Sequence, residues 1–513
     1  MKYMIGVDIG TTSTKAVLYN EEGNMIDQSL IEYPLLTPTV DISEEDPDKI
    51  CHAVQSTIRN VVLAQNLEAK HIKFVAFSAQ MHSLIVMNHN HQRLTHSITW
   101  ADNRAQAVVE KLKHIDQNIA IYQKTGTPIH AMSPLSKMMW LKEEETELFQ
   151  KAAQFVDIKS YILYQLTGQW VMDWSIASAT GLMNLKTKKW DQDILRLLEL
   201  EESQLPQLVP TTTRLEFKDQ QVAESLGLSK NVPIVVGSSD GVLSNLGVNR
   251  FRKGEVALTI GTSGAIRTVV DKPLIDPEGR TFCYVLDESH CVIGGPVNNG
   301  AVVLRWLRDE LLADEVEVAK RLGIDSYHLI SKIAERVEPG AKGLLFHPYL
   351  TGERAPLWTS DARGSFIGLT LAHRKEHMIR AVLEGVVFNL YSVFMALSEI
   401  IGDTPYKISA TGGFSKSAVW RQMVSDVFNC HVDIPTHNES SCLGACIIGL
   451  KAMGEIENYD IVEKWITSTH VHSPNLAYHE VYQQLMPIFN DISLSLSETY
   501  RNLAQFQRKN NLK

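Results

Sequence analysis

Ile5-Gly6-Val7-Asp8-Ile9-Gly10-Thr11-Thr12-Ser13-Thr14-Lys15-Ala16-Val17-Leu18-Tyr19 is the stretch from which the rest of this 513-residue chain can be read. An apolar, β-branched run enters Asp8, a Gly-Thr-Thr-Ser turn follows, and a second apolar run leaves. The pattern predicts a β-hairpin whose tip carries a carboxylate, a glycine and a row of hydroxyls. Gly10 lets backbone N–H groups approach an anion closely, and Thr11, Thr12 and Ser13 add donors around it. Asp8 would repel a phosphate directly. It makes sense there only with a cation between the two, and Mg²⁺ carrying its own waters fits best.

The pattern recurs far downstream in Val256-Ala257-Leu258-Thr259-Ile260-Gly261-Thr262-Ser263-Gly264-Ala265-Ile266-Arg267. Either copy alone could equally be a turn without a ligand. Two copies half a chain apart predict a duplicated domain, its turns facing each other as a phosphate clamp across a nucleotide. The paired hairpins resemble the actin-like ATPase superfamily. That resemblance implies an α/β fold of two actin-like (ribonuclease H-like) domains with a cleft between them.

A chain of this length can form two large domains with full cores. Apolar content of 44% and charged content of 21% describe an ordinary globular protein. The net charge of −10, with no run of lysines or arginines, argues against nucleic acid and anionic membrane as partners. The six cysteines form no Cys-x-x-Cys pair and fit a reducing cytoplasm. No secretory signal precedes the first strand. The apolar stretch 378–401 is broken by Arg380, Glu384 and Asn389, which predicts a buried helix and not a membrane span.

Along the chain, Asp46-Pro47 opens a helix running to about Gln65, and residues 72–78 form a buried strand. That strand ends in Gln80-Met81-His82, where open α/β sheets place ligands. Trp100-Ala101-Asp102-Asn103-Arg104 admits two readings: a helix N-cap at Asp102, or a grip on a polyhydroxylated ligand. Ser133-Pro134 enters a capped helix, and residues 173–182 are small and polar enough to be a loop over a cleft. The buried strand 233–237 leads into Ser238-Ser239-Asp240-Gly241, where Asp240 suits a catalytic base or another N-cap. The domain boundary is expected near residue 245. In the second half, strand 408–411 meets Gly412-Gly413, a double glycine on which an adenine or ribose could lie flat. A simple strand-to-helix turn would need only one of the two. The helical tail from about Tyr478 is left to fold back on the body or to mediate assembly, for instance of a homodimer.

With these segments laid out, the chain resembles the FGGY family of carbohydrate kinases over nearly its whole length. Asp8-Ile9-Gly10-Thr11-Thr12, continued by Ser13 and Lys15, is similar to the family's first phosphate motif, and Gly261-Thr262-Ser263 to its second. Residues 132–144 and 368–384 fit the two family signatures, and Gly412-Gly413 falls in the adenosine motif. The resemblance implies ATP and Mg²⁺ as cofactors, Asp8 toward the metal, and Asp240 as catalytic base. It places a sugar on Gln80, Met81, His82, Trp100, Asp102, Arg104 and Asp240. Domains of residues 1–245, holding sugar and first phosphate motif, and 246–513, holding nucleotide, follow from it. The combination of segments 100–105, 126–130, 237–249, 294–300 and 347–358 is most similar to members that phosphorylate gluconate. Gln80-Met81-His82 also resembles members acting on xylulose. Arg104, Lys137 and Arg354 are the candidates for pairing with a gluconate carboxylate.

Overall fold

The computed structural model describes residues 2–39, 41–113, 118–436 and 439–510. The chain forms two compact units, each assembled from separated segments. The first comprises Met1–Phe251, Val269–Val292 and Glu439–Ile466; the second comprises Arg252–Thr268, Ile293–Asn438 and Thr467–Lys513.

The hairpin at the start of the chain is the seed of the first unit. Strands β1 (Tyr3–Ile9) and β2 (Ser13–Asn20) pair antiparallel with Asp8 opposite Lys15, and β3 (Met25–Glu32) extends the sheet beyond β2. On its other side β1 pairs in parallel with β4 (Ile72–Ala79), and β4 in parallel with β5 (Ile234–Ser239). Parallel strands need long crossovers. The first is α1 (Pro47–Ala64), with Asp46 as N-cap and Pro47 in its first turn.

Side chains alternate across this sheet, so its two faces have separate cores. Ile5, Val7 and Ile9 of β1 join α1 and α3 (Ile158–Thr167) on one face. On the other face, Met4, Val17 and Phe74 meet α5 (Asp240–Leu246) and the helix Ser440–Ala452. That last helix lies very close because glycines remove side chains on both sides. A Cβ on Gly6 would stand 2.2 Å from the Cys442 carbonyl oxygen, and one on Gly444 2.2 Å from that of Leu243. Cys442 and Cys446 are buried thiols in this contact, and all six cysteines are free.

The second unit repeats the order. Strands β6 (Glu255–Ile260) and β7 (Gly264–Val270) form an antiparallel hairpin, with β8 (Lys407–Thr411) parallel to β6 and β9 (His431–Pro435) parallel to β8. The duplicated, ribonuclease H-like topology expected from the two hairpins is therefore present. The apolar stretch near residue 390 is the core helix Lys375–Ile401, with 83% of its most apolar window buried. Its Arg380 and Glu384 form an interior ion pair of 2.6 Å, joined by the Tyr482 hydroxyl from the tail. His347 likewise bonds the Tyr500 hydroxyl. The tail therefore folds back on its own unit.

One expectation needs correcting. Residues 173–182 are not a loop over a cleft: Asp173 caps the short helix α4 (Trp174–Ser178), and Ser175, Ser178 and Thr180 are buried. In the second unit the helix Ala301–Trp306 loosens into a π-type turn at Leu307–Leu311.

Gly237 is the tightest point of the first sheet. It has φ +72°, and a Cβ there would lie 1.8 Å from the Phe77 carbonyl oxygen. The register between β5 and β4 shifts between Val235 and Ser238, so the glycine sits in a bulge that redirects the strand's last residues. Gly237→Ala should lower stability by about 3 kcal/mol or more, the upper end for overpacking a core, as read by urea denaturation. A loss below about 1 kcal/mol would mean that the bulge can relax.

Candidate active site

The site in the first unit grows from three adjacent strand ends. In the parallel register Asp8 of β1 lies beside Ser78 of β4, and Ser78 beside Ser238 of β5. The C-terminal edge of such a sheet is where open α/β folds expose ligand-binding groups. The Ser78 hydroxyl donates to Asp8 Oδ1 at 2.7 Å. Burial, then the nearby Asp240 carboxylate, push Asp8 up to about 7, against the Ser78 hydrogen bond. Opposite Asp8, Lys15 Nζ pairs with Glu439 at 2.6 Å.

Asp240 is the first residue of α5, and the cap position belongs to Ser239. Its Oδ1 accepts the Gly241 N–H at 2.6 Å. The capping alternative for Asp240 is thus displaced by one residue, and the carboxylate stands at the helix's first turn.

The hairpin tip is fixed from behind. Gly10 N–H bonds the Ser13 carbonyl, while the Tyr33 hydroxyl donates to the Gly10 carbonyl at 2.6 Å. Thr12 is exposed and Thr11 and Ser13 partly so. Thr11 also joins a relay that runs inward: Trp100 Nε1 donates to Thr11 Oγ1, Thr11 Oγ1 to Gln80 Oε1, and Gln80 Nε2 to both oxygens of the buried Glu45 at 2.8 Å. Gln80 and Trp100, predicted for substrate, are thereby brought to the phosphate hairpin.

Lys137 ties the remaining loops together. Its buried ammonium donates to the carbonyls of His82, Ile98 and Thr99 at 2.5, 3.2 and 2.7 Å. Burial pushes this amine down to about 7, opposed by the Asp102 and Glu45 carboxylates. With three carbonyls on it, Lys137 organises loops and does not pair with a substrate carboxylate. His82 has φ +68° and donates from Nδ1 to the Ala179 carbonyl at 2.8 Å. Asp102 is buried. It accepts from the Ser43 N–H and from Arg104, whose guanidinium also pairs with Glu44 and lies 4.7 Å from the Trp140 ring centre. Asp102 therefore caps no helix; the next one starts at Gln106. Met81 packs against the apolar core layer.

In the second unit the hairpin tip has the same turn, Gly261 N–H to the Ser263 carbonyl at 2.9 Å. The start of α6 (Ala301–Trp306) takes up its carbonyls, Ala301 N–H reaching Gly261 O at 2.7 Å. Thr262 is exposed at the tip. Thr259 stands where β1 has Asp8, so this copy of the hairpin carries no carboxylate at that position. The double glycine divides into two roles. Gly412 has φ +103°, and a Cβ there would sit 2.3 Å from the Ile260 carbonyl oxygen, whereas one on Gly413 meets nothing within 4 Å. Gly413 opens onto a cavity of about 710 Å³, lined also by Phe414, Lys416, Tyr327, His328 and Ser331. That volume suits a small organic ligand.

Sequence reasoning missed Ser78, Glu45, Glu439 and the cavity wall on Ser326–Ala334. Ser78 had a signal, a hydroxyl closing an apolar strand in register with Asp8. Glu45 sits in the acidic run Glu44-Glu45-Asp46 and Glu439 in a short polar stretch, and both look solvated. In the loop 351–356, Glu353 is buried and accepts from Asn299 and from Asn389, so it holds loops together within its unit.

Glu45 gives a test of this geometry. Burial raises its carboxyl from 4.5 to about 8, against the Gln80 and Ser97 hydrogen bonds. Between those values the folded protein holds a proton that the unfolded chain releases, so this group's contribution to stability falls as pH rises from about 5 to about 8. Glu45→Gln should therefore gain stability relative to the parent across that interval, measured by urea denaturation at several pH values. A constant difference would mean that Glu45 is ionised throughout.

Comparison with known proteins bears on both units. Residues 3–247 match the FGGY family of carbohydrate kinases, N-terminal domain, and residues 256–453 its C-terminal domain. A gluconokinase of Bacillus licheniformis is 52% identical over 507 residues, 99% of this chain and 98% of the relative. Two crystal structures from Lactobacillus acidophilus, a gluconate kinase and a ligand-bound xylulose kinase, each superpose with TM-score 0.92 at 40% identity. Both cover 98% of this chain, and 99% and 100% of their own chains respectively. With both domain families matched in order and the fold shared end to end, the chain belongs to the FGGY family of carbohydrate kinases.

Proposed function

We propose that the chain is a gluconokinase, moving the γ-phosphoryl group of ATP to the C6 hydroxyl of D-gluconate to give 6-phosphogluconate and ADP. The observation that carries this reading is the 52% identity to a gluconokinase over almost the full length of both chains. The 40% likeness to a xylulose kinase structure, together with Gln80-Met81-His82, favours xylulose as the second reading.

Phosphoryl transfer asks a protein mainly for positioning and charge neutralisation. The hairpin tips at Gly10-Thr11-Thr12-Ser13 and Gly261-Thr262-Ser263 offer N–H and hydroxyl donors for the phosphates, with Lys15 beside the first. Gly413 and the cavity it opens into would take the adenosine, while Gly412 keeps its strand against β6. Asp8 has the donor chemistry for Mg²⁺: a half-buried carboxylate beside the Asp240 charge, in a setting that disfavours two negative groups together. When bound, the metal would offset negative charge on the phosphates. His82, Trp100, Asp102 and Arg104 surround the sugar in this reading, with Gln80 bracing the wall and Met81 serving as its apolar backing. Asp240 accepts the C6 hydroxyl proton as that oxygen bonds to the γ-phosphorus and the bond to ADP breaks.

The division of labour follows: residues 1–245 carry the acceptor and the first phosphate motif, residues 246–513 the nucleotide. The charge of −10 and the reduced cysteines support a cytoplasmic enzyme whose ligands are gluconate and ATP, without nucleic acid or membrane.

A coupled ADP-release assay with gluconate, D-xylulose and glycerol tests the substrate. Gluconate should have the highest kcat/KM, by at least about tenfold; a preference for xylulose would move the chain to the second reading. Asp240→Asn tests the mechanism, since asparagine keeps size and hydrogen bonding at the helix start. It should lower kcat by about 10²–10⁴-fold, the usual share of general base catalysis, with KM for MgATP little changed. Near-normal kcat in the folded variant would remove Asp240 from the chemistry.

A further inference from the structure

The backbone on which Asp240 stands is anchored from beneath by an ion pair that touches neither phosphate hairpin nor sugar loop. Lys159 Nζ and Asp173 Oδ2 lie 2.6 Å apart, their side chains 2% and 0% exposed. The same ammonium donates to the Ser238 carbonyl at 3.1 Å, two residues before Asp240. Asp173 Oδ1 meanwhile caps α4 through the N–H groups of Ser175 and Ile176, and Asp157 caps α3 beneath Lys159. From α4, Ser175 Oγ contacts Ser239 Oγ at 3.0 Å and accepts the Ser239 N–H at 3.3 Å. The short segment between the Gly237 bulge and Asp240 is thus gripped at one carbonyl, one N–H and one hydroxyl by residues 159–175.

A buried ion pair adds little net stability over apolar residues of equal volume. Here it adds direction. The bulge at Gly237 releases β5 from its ladder register, and the Lys159 and Ser175 hydrogen bonds fix where the released residues point. We propose that Lys159 and Asp173, with Ser175, are positioning residues for Asp240, setting the line along which its carboxylate meets the acceptor hydroxyl. The proposal rests on the assignment of Asp240 as base. Misplacing a catalytic group by about 1 Å can cost about 10²-fold in rate, so the effect should fall on turnover and not on nucleotide binding.

The test is a cycle of variants in the full-length protein. Lys159→Met with Asp173→Asn removes both charges together while keeping the α4 cap. Ser175→Ala is a milder variant that leaves the pair intact if the double change fails to fold. Folded protein is checked by circular dichroism and thermal melting. The double variant should lose about 10–100-fold in kcat, and Ser175→Ala about 3–10-fold, with KM for MgATP within about twofold of the parent. Built into an Asp240→Asn background, each change should cost less than about threefold more, because the group it positions is already gone. Full, multiplicative losses in that background, or kcat within about twofold of the parent for folded variants, would overturn the positioning role while leaving the base assignment standing. Near-normal kcat in Asp240→Asn alone would overturn the base assignment and this proposal with it.

Discussion

Asp8 is a carboxylate that the fold holds half-buried at the end of a buried strand. Neither Ser78 nor Lys15 is enough to return it to an ordinary acidity, because burial and the charge of Asp240 act in the same direction. Much of the first unit is arranged to keep that group in place. The β1–β2 hairpin carries it, the parallel neighbours β4 and β5 bring Ser78 and Ser238 into line with it, and the helix Ser440–Ala452 closes over the strand behind it. The charges of Asp240 and Glu439 act on Asp8 in one direction and that of Lys15 in the other.

The duplication keeps this arrangement and drops the charge. Both units have an antiparallel hairpin followed by two parallel strands, and both close the hairpin with the same glycine-to-serine turn bond. Yet Thr259 replaces Asp8, and its hydroxyl contacts the Thr411 hydroxyl at 3.0 Å instead of a ligand-facing partner. One hairpin brings an acid and a lysine, the other only donors.

Much of this was legible in the sequence because it rests on local rules. The hairpins announce themselves through β-branched runs broken by Gly-Thr-Ser. The caps at Asp46 and Ser133 and the proline after each mark two helix starts within a residue. What stayed hidden depends on long-range packing. The Asp173 segment looks like a loop because it is small and polar, but Ser175, Ser178 and Thr180 are buried, and Ser178 and Thr180 spend their hydroxyls on neighbouring backbone. Lys137 looks like a cation for a substrate, and only the folded chain reveals three carbonyls waiting for it. Nor could spacing show which of Gly412 and Gly413 the backbone needs.

The helix Ser440–Ala452 belongs to a unit that otherwise ends, apart from one inserted segment, near residue 251. Until that helix is made, Met4, Val17 and Phe74 have only part of their cover, from α5, on one face of the first sheet. A ribosome adding about 5–20 residues per second needs roughly ten seconds to most of a minute to travel from residue 251 to residue 466. During that interval the nascent chain holds a nearly finished sheet with an open apolar side. The first unit to be started thus waits for its closing helix until most of the second has been made, and over that span one face of its sheet stays partly bare.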